Sequence, residues 1–291
     1  MRYSIKRNLL NRSSRQTRLW LSTLAMFSLL WCQLASAVEL DVPYVETPDD
    51  IATLMMDMAQ ITPEDYVIDL GTGDGRLVLA AVKRGATGLG VDLDPQRIEE
   101  ANANARNAGV TDKVKFVIGD LFKTDISQAT VLTLFLNSEV NMRLRPILFE
   151  QLKPGTRVVS HNFDMEDWQP DQQQELMVND RNNYYIHDIF YWVIPAKVEG
   201  DWQWQMGKDQ FQMSVSQQFQ TIEAELRINQ QTLIVKNATV TGTELKITAV
   251  NADGSQEYIL NGQVTDNNIT GTISSGFAGG DKPTNWHATR K

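Results

Sequence analysis

The stretch Val67-Ile-Asp69-Leu-Gly71-Thr-Gly73-Asp-Gly75-Arg76 decides how the first half of this chain is read. A short apolar run, Tyr66 to Leu70, has the look of a buried strand, and Arg76 to Lys83 of a helix. The glycines between them permit a tight turn and a close backbone approach to a ligand, as in dinucleotide-type folds. Two details point away from a pyrophosphate. The third glycine follows the second by two residues instead of three, and Asp69 precedes the first by two. A carboxylate beside the loop suits a ligand with a cationic end and repels a diphosphate, so an NAD enzyme is rejected.

Strands and helices alternate outward from this loop. Gly88–Asp92, Lys113–Ile118, Val131–Leu136 and Thr156–Ser160 read as further strands, and Tyr184–Val193 is β-prone. Pro95–Asn107 and Met142–Leu152 read as helices. Upstream, Thr47-Pro48-Asp49-Asp50 reads as a helix start with Thr47 as N-cap and Asp50 closing a capping box. Ile51, Leu54, Met55 and Met58 follow on one apolar face. The alternation predicts an α/β, Rossmann-like parallel sheet covered on both faces. From Asp201 the composition changes to β-prone segments such as Gln210–Val215, Thr221–Ile228, Thr232–Val235, Glu244–Val250, Gln256–Leu260 and Asn268–Ile273. Turn residues at Asn251–Gly254, Asn261-Gly262 and Asp266-Asn267 separate them, predicting a small antiparallel barrel or sandwich. Trp202, Trp204 and Trp286 read as its packing, with a pocket lining as the alternative.

Two further acids complete a nucleoside site. Asp92, 21 residues past Gly71 and ending the apolar run of the second strand, is placed to accept both ribose hydroxyls; Asp94-Pro95 reads as the cap of the next helix. Hydrogen bonds to a charged acceptor are worth about 1.5–3 kcal/mol each. In Gly119-Asp120-Leu121-Phe122, Asp120 is placed to accept the adenine amino group and Leu121 to pack on the ring. The fourth strand leads into Leu136-Asn137-Ser138-Glu139. In an open α/β sheet the reacting end of a ligand lies at such a strand terminus. Asn137, Ser138 or Glu139 there either hold and help deprotonate an acceptor amine or simply cap the helix that follows.

In order and spacing these motifs resemble the class I S-adenosylmethionine-dependent methyltransferases. Within that class the stretch from about Val42 to Asp171 resembles the small protein-lysine methyltransferases related to the mitochondrial ATP synthase c-subunit lysine methyltransferase. More distantly it is similar to the non-SET histone lysine methyltransferase of the telomeric-silencing type. The residues that carry the likeness are Pro43-Tyr-Val-Glu-Thr-Pro48, the loop Asp69–Arg76, Gly119–Phe122, Leu144-Arg-Pro and the run from Leu152 through His161-Asn-Phe-Asp-Met to Trp168. The resemblance implies S-adenosylmethionine as cofactor, held by Asp69, Gly71, Thr72, Gly73, Gly75, Asp92, Asp120 and Leu121, with Tyr44 and Thr47 closing over it. It also implies a lysine side chain of a protein as acceptor. The alternatives are an exported protein that binds the cofactor without turnover and a methyltransferase for small molecules. The β-rich tail is foreign to that core family.

Composition bounds the partners. The formal net charge is −9 over 291 residues. The first 37 residues hold six basic side chains and no acid, so the remainder sets 21 basic against 36 acidic residues, a formal −15. Such a body is repelled by phosphate backbones and is read as no nucleic-acid binder; a basic protein segment suits it better. Cys32 is the sole cysteine, so the body after it lacks disulfides and thiolate chemistry. His161, His187 and His287 are read as ordinary core or surface histidines.

The N-terminus reads as a secretory signal, with basic residues, the apolar run Leu19–Trp31, and Ala35-Ser36-Ala37 as a cleavage site. The expected division is signal 1–37, methyltransferase domain 38–195 and β-rich domain 196–291. The expected location is periplasmic or secreted, with no membrane span left after cleavage. S-adenosylmethionine is made in the cytoplasm, so export and turnover pull against each other. The oligomeric state is not legible.

Overall fold

The computed structural model describes residues 42–180, 183–276 and 282–291. The signal sequence expected at 1–37 lies outside the described residues.

The first half is a seven-stranded sheet in the order β3-β2-β1-β4-β5-β7-β6. Its strands are β1 (Tyr66–Leu70), β2 (Thr87–Asp92), β3 (Val114–Ile118), β4 (Val131–Leu134), β5 (Arg157–His161), β6 (Gln172–Asp180) and β7 (Asn183–Val193). Strands β1 to β5 are parallel, and β7 runs antiparallel between β5 and β6. Helices α1 (Asp49–Met58), α2 (Arg76–Val82), α3 (Pro95–Ala108) and α4 (Ser138–Gln151) cover it. The pleat sorts neighbouring residues to opposite faces. Ile68, Leu132 and Val158 pack with Leu144, Leu148 and Trp192 beneath α4, whereas Val67, Val131 and Val159 pack with Met55 and Leu77 beneath α1 and α2. Both faces are apolar, as a covered parallel sheet requires.

The second half is a closed eight-stranded antiparallel barrel. It comprises β8 (Gly200–Met206), β9 (Asp209–Gln218), β10 (Thr221–Ile228), β11 (Gln231–Thr241), β12 (Glu244–Val250), β13 (Glu257–Thr265), β14 (Asn268–Ser275) and β15 (Thr284–Arg290). Strand β8 closes the ring by pairing with both β9 and β15. Trp202, Trp204 and Trp286 are all buried in its core, where they serve as packing. Trp168 Nε1 donates to Gln220 Oε1 at 2.8 Å and Ala196 N to Gly242 O at 2.7 Å, joining barrel to sheet.

Four expectations are corrected. Thr47 does not cap α1: Pro48 stands at that position with no side-chain cap, and the Thr47 hydroxyl turns instead to His161. Helix α4 starts four residues early, at Ser138, because Asn137 caps it, while β4 stops at Leu134. Asn261-Gly262 is no turn; it lies within β13, where a Cβ on Gly262 would sit 2.5 Å from Ile269 Cγ2 and 3.2 Å from Trp286 Cζ2. The glycine makes room for Ile269 and, beside it, Trp286. Strands β6, β8 and β15 were not foreseen as separate elements.

Candidate active site

The loop between β1 and α2 lies at the topological switch point, where β1 has β2 on one side and β4 on the other. Gly71, Gly73 and Gly75 take φ of 77°, 54° and 81°, left-handed values that favour glycine. Space demands them too. A Cβ on Gly73 would fall 2.3 Å from Tyr44 Cε2, and one on Gly71 would fall 2.8 Å from Leu136 Cδ2.

The loop's N–H groups decide what it can hold. Gly71 N and Thr72 N both donate to Val91 O at 2.9 Å, Gly73 N donates to Asp92 Oδ2 at 2.8 Å, and Gly75 N donates to Thr72 O at 2.9 Å. These donors are spent inside the protein. A phosphate nest needs successive free N–H groups, and here three are spent on backbone carbonyls and one on the Asp92 carboxylate.

Asp69 is 2% exposed, and its Oδ1 accepts from Thr133 Oγ1 of β4 at 2.7 Å, bridging the switch point. Burial pushes its carboxyl up to about 6 against the pull of that hydrogen bond; the negative charges of Asp92 and Asp74 push the same way. The Thr72 hydroxyl, itself buried, is near enough to favour the charged form of Asp69 yet completes no hydrogen bond of normal geometry. A buried acid, a second acid close by and a buried hydroxyl without a partner together fit a cationic ligand with polar groups of its own. S-adenosylmethionine, with its ammonium and sulfonium, has that chemistry.

Asp92 ends β2 half-buried, with Oδ1 accepting from Asp94 N at 2.9 Å and Oδ2 from Gly73 N. Two backbone donors fix the carboxylate and leave lone pairs for ribose hydroxyls. Asp94 caps α3 by accepting from Gln96 N at 2.8 Å. Asp120 lies farther out, beyond β3. Its Oδ1 accepts from Phe122 N at 2.9 Å and its Oδ2 pairs with Lys123 Nζ at 2.9 Å. The Lys123 ammonium, helped by that N–H, holds the Asp120 carboxyl below its ordinary range. Leu121 is buried with Val91 and Leu134, so it forms an apolar floor beside Asp120.

The segment before α1 straps the loop. The Tyr44 ring lies on Gly73 and carries the Arg97 guanidinium 4.6 Å from its centroid. Arg76 is the buckle. It pairs with Asp74 through Nε at 2.9 Å and Nη2 at 2.6 Å, reaches Glu46 at 3.4 Å, and donates from Nη1 to Thr47 O at 2.8 Å. Burial alone would raise Asp74, but Arg76 outweighs it and holds that carboxyl below the ordinary range. Arg76 was not foreseen, although its place directly after Gly75 was a usable signal.

At the end of β4, Asn137 Oδ1 accepts from Val140 N at 2.8 Å, the capping geometry. Glu139 is exposed in the first turn of α4, where its charge suits the helix dipole. One turn on, the buried Asn141 Nδ2 donates to Phe163 O at 3.1 Å and Asp164 O at 3.2 Å, fixing the loop after β5.

His161, read as ordinary, is a junction. Fully buried at the end of β5, it packs against Phe135 with ring centroids 3.9 Å apart and planes tilted by 34°. Its Nδ1 lies 3.3 Å from Thr47 Oγ1 and its Nε2 lies 2.8 Å from His187 Nδ1 on β7. Burial, reinforced by His187, pushes its pKa down to about 3, so it is neutral at physiological pH and ties strap to sheet by hydrogen bonds. Among the described residues no group of side chains could hold a metal ion, and no helix is long and apolar enough to cross a membrane.

The α/β half is similar to known proteins. The ANTKMT methyltransferase domain model matches residues 69–172, from Asp69 into β6 and wholly within the α/β half. A protein-lysine N-methyltransferase from Saccharolobus islandicus is 43% identical over 155 residues, 53% of this chain and 94% of that protein. The human ATP synthase c-subunit lysine N-methyltransferase is 34% identical over 105 residues, 36% of this chain and 45% of its own, so less than half of that protein is spanned. The crystal structure of an RNA methyltransferase from Salinibacter ruber in complex with S-adenosyl-L-homocysteine is 46% identical, covering 53% of this chain and 96% of that one with a TM-score of 0.47. With its α/β half aligned over nearly the whole of a lysine methyltransferase, the chain belongs to the protein-lysine N-methyltransferase family of S-adenosylmethionine-dependent methyltransferases.

Proposed function

We propose that this enzyme transfers a methyl group from S-adenosylmethionine to the side-chain nitrogen of lysine in a protein. The observation that carries the reading is the glycine loop, its N–H groups spent on Val91 O and Asp92 and its flank occupied by buried Asp69. It refuses a phosphate and accepts a cation, in a chain 43% identical to a lysine methyltransferase.

When bound, the cofactor supplies an electrophilic methyl on sulfonium. The protein's part is to hold and orient. Asp69 and Thr72 would face the cationic end, Asp92 the ribose, and Asp120 with Leu121 the adenine. Tyr44 and Thr47, buckled by Arg76, would cover the cofactor and exclude water. Lysine attacks only as the free amine, so the ammonium must first lose a proton. Asn137 Oδ1, with one lone pair beyond its cap bond, and the Glu139 carboxylate stand at the strand end where that amine would arrive. His161, neutral and buried, positions Thr47 and is not the base.

The division into a methyltransferase domain (38–195) and a barrel domain (196–291), the cleavage after Ala37 and a location outside the cytoplasm belong to the same proposal. They rest on the sequence pattern and on the gap between β7 and β8. Mass spectrometry of the native N-terminus would check the cleavage.

The test is incubation with methyl-labelled S-adenosylmethionine and an envelope protein extract, followed by hydrolysis and amino-acid analysis. Methyl-lysine is the expected product. Label confined to small molecules would select the small-molecule alternative, and cofactor binding without any transfer would select the non-catalytic one.

A further inference from the structure

We propose that the β6–β7 hairpin is the acceptor-binding wall, and that it takes the lysine-bearing segment of the protein substrate as an added strand along the open edge of β6. The inference rests on the lysine reading above and names how that substrate is held.

Position comes first. Strand β7 pairs with β5 only from Ile189 to Val193, and Ile189 stands opposite His161, the last residue of β5. Residues 183–188 therefore run on past the carboxyl end of the parallel strands, the edge that carries the glycine loop and Asn137. The hairpin is also tied to the strap through His187, His161 and Thr47.

The edge itself is open. Strand β6 ends the sheet order, and among the described residues it pairs with β7 alone. Natural edge strands are blunted by proline or by charged side chains, lysine above all, to prevent unwanted pairing. Gln172-Gln-Gln-Glu-Leu-Met-Val-Asn-Asp180 has no proline or lysine and exposes the acid Glu175, which repels an acidic strand but not a basic one, whereas the opposite edge, β3, carries exposed Lys115. An unpaired edge beside an active site is the geometry that strand addition uses.

Chemistry then selects the occupant. Met177, Tyr184, Tyr185 and Ile186 are each more than half exposed, an apolar surface concentrated on this hairpin. Between them and the sheet, Glu175 stands directly opposite Asp188. Like charges so placed repel. Asp188 accepts a hydrogen bond from Gln173 Nε2 at 3.1 Å, but neither acid is paired with a cation among the described residues. A cation from outside relieves that repulsion, and a substrate segment rich in lysine brings one. The occupant that fits edge, apolar side chains and acid pair together is an extended, basic stretch of polypeptide.

The test uses a fluorescent nine-residue peptide of alternating threonine and valine around a central lysine, and a twin whose alternate backbone nitrogens are methylated. The twin keeps every side chain and loses one edge of N–H donors. With the full-length enzyme and S-adenosylhomocysteine present, fluorescence anisotropy should show the twin binding at least about tenfold more weakly. Glu175→Lys, which removes the facing like charges and so preserves the fold, should weaken the parent peptide several-fold without altering cofactor affinity; Tyr184→Ser should do the same. Equal binding of twin and parent, or a parent indifferent to Glu175→Lys and Tyr184→Ser, overturns the assignment. Methyl-lysine in the peptide is read separately. A peptide that binds at β6 without being methylated keeps the hairpin assignment and removes the lysine reading instead.

Discussion

The two halves of this molecule treat buried polarity in opposite ways. In the α/β half, Thr47, Asp65, Asp69, Thr72, Thr133, Asn141, Ser160 and His161 are all buried, several at or just beyond the carboxyl ends of strands. In the barrel, the buried residues among those described are apolar apart from the N–H groups of its tryptophans, and a ring of hydrogen bonds leaves no open edge. Burying a polar group is costly unless something answers it. Among the described residues, the α/β half leaves the Thr72 hydroxyl and the Asn141 Oδ1 unanswered near the carboxyl ends of its strands, where a ligand can answer, whereas the barrel leaves only the Trp204 indole Nε1. The difference teaches where the chemistry resides, and each expected outcome below either sharpens or breaks it.

The largest effect is expected in the barrel, and on stability alone. Trp202 is fully buried, donates from Nε1 to Val198 O at 2.9 Å and carries Arg290 over its ring at 4.3 Å. Trp202→Ala should cost about 3–5 kcal/mol in chemical denaturation while the dissociation constant for S-adenosylmethionine changes less than about twofold. A large loss of cofactor affinity in the folded variant would break the separation of roles.

Next comes Asp92→Ala, which should weaken cofactor binding by about 2–4 kcal/mol, two charge-assisted bonds. Calorimetric titration checks it, and an unchanged constant would mean that the ribose lies elsewhere.

A smaller effect of opposite sign is expected at Asp69. Its carboxyl is pushed up to about 6 by burial, against about 3.9 in an unfolded chain. A raised carboxyl means that the ligand-free fold holds the protonated form better. The stability from this group is fully present below about pH 4 and is lost as pH rises through 6. Asp69→Asn should therefore stabilise the ligand-free enzyme at pH 7 by about 1–3 kcal/mol and weaken its grip on the cationic cofactor. In the unaltered enzyme, cofactor affinity should fall as pH drops through 6. Melting curves and titrations at several pH values measure both, and a destabilised Asn variant would contradict the argument.

Much of this was legible in the sequence, for reasons that can be named. Strands β1, β4 and β5 showed themselves because burial on both faces makes short, mostly apolar runs, broken in Val67–Leu70 by Asp69 and in Val131–Leu134 by Thr133 alone. Asp94 showed itself as a cap because proline follows it. Strand β6 did not, since Gln172-Gln-Gln-Glu has no alternation and becomes a strand only by pairing with β7. Strand β8 does carry a plain signal, Trp202 and Trp204 inward with polar residues between, but it is short and follows directly on the composition change. At the site, the glycines and acids could be placed because their spacing is local. The Thr47–His161–His187 chain joins residues 114 and 26 positions apart, and nothing local announces it. Thr47 shows the same limit: Ser/Thr-Pro-x-Asp reads as a cap, but a buried imidazole nitrogen competes for the hydroxyl and wins.

One titration bears most directly on the whole account. S-adenosylmethionine and NAD are each added to the unaltered enzyme at pH 7.5 and followed by calorimetry. A loop whose donors face inward and whose walls are carboxylates predicts saturable binding of the first and none of the second at millimolar concentration. Binding of NAD in preference to S-adenosylmethionine, or of neither, would contradict it.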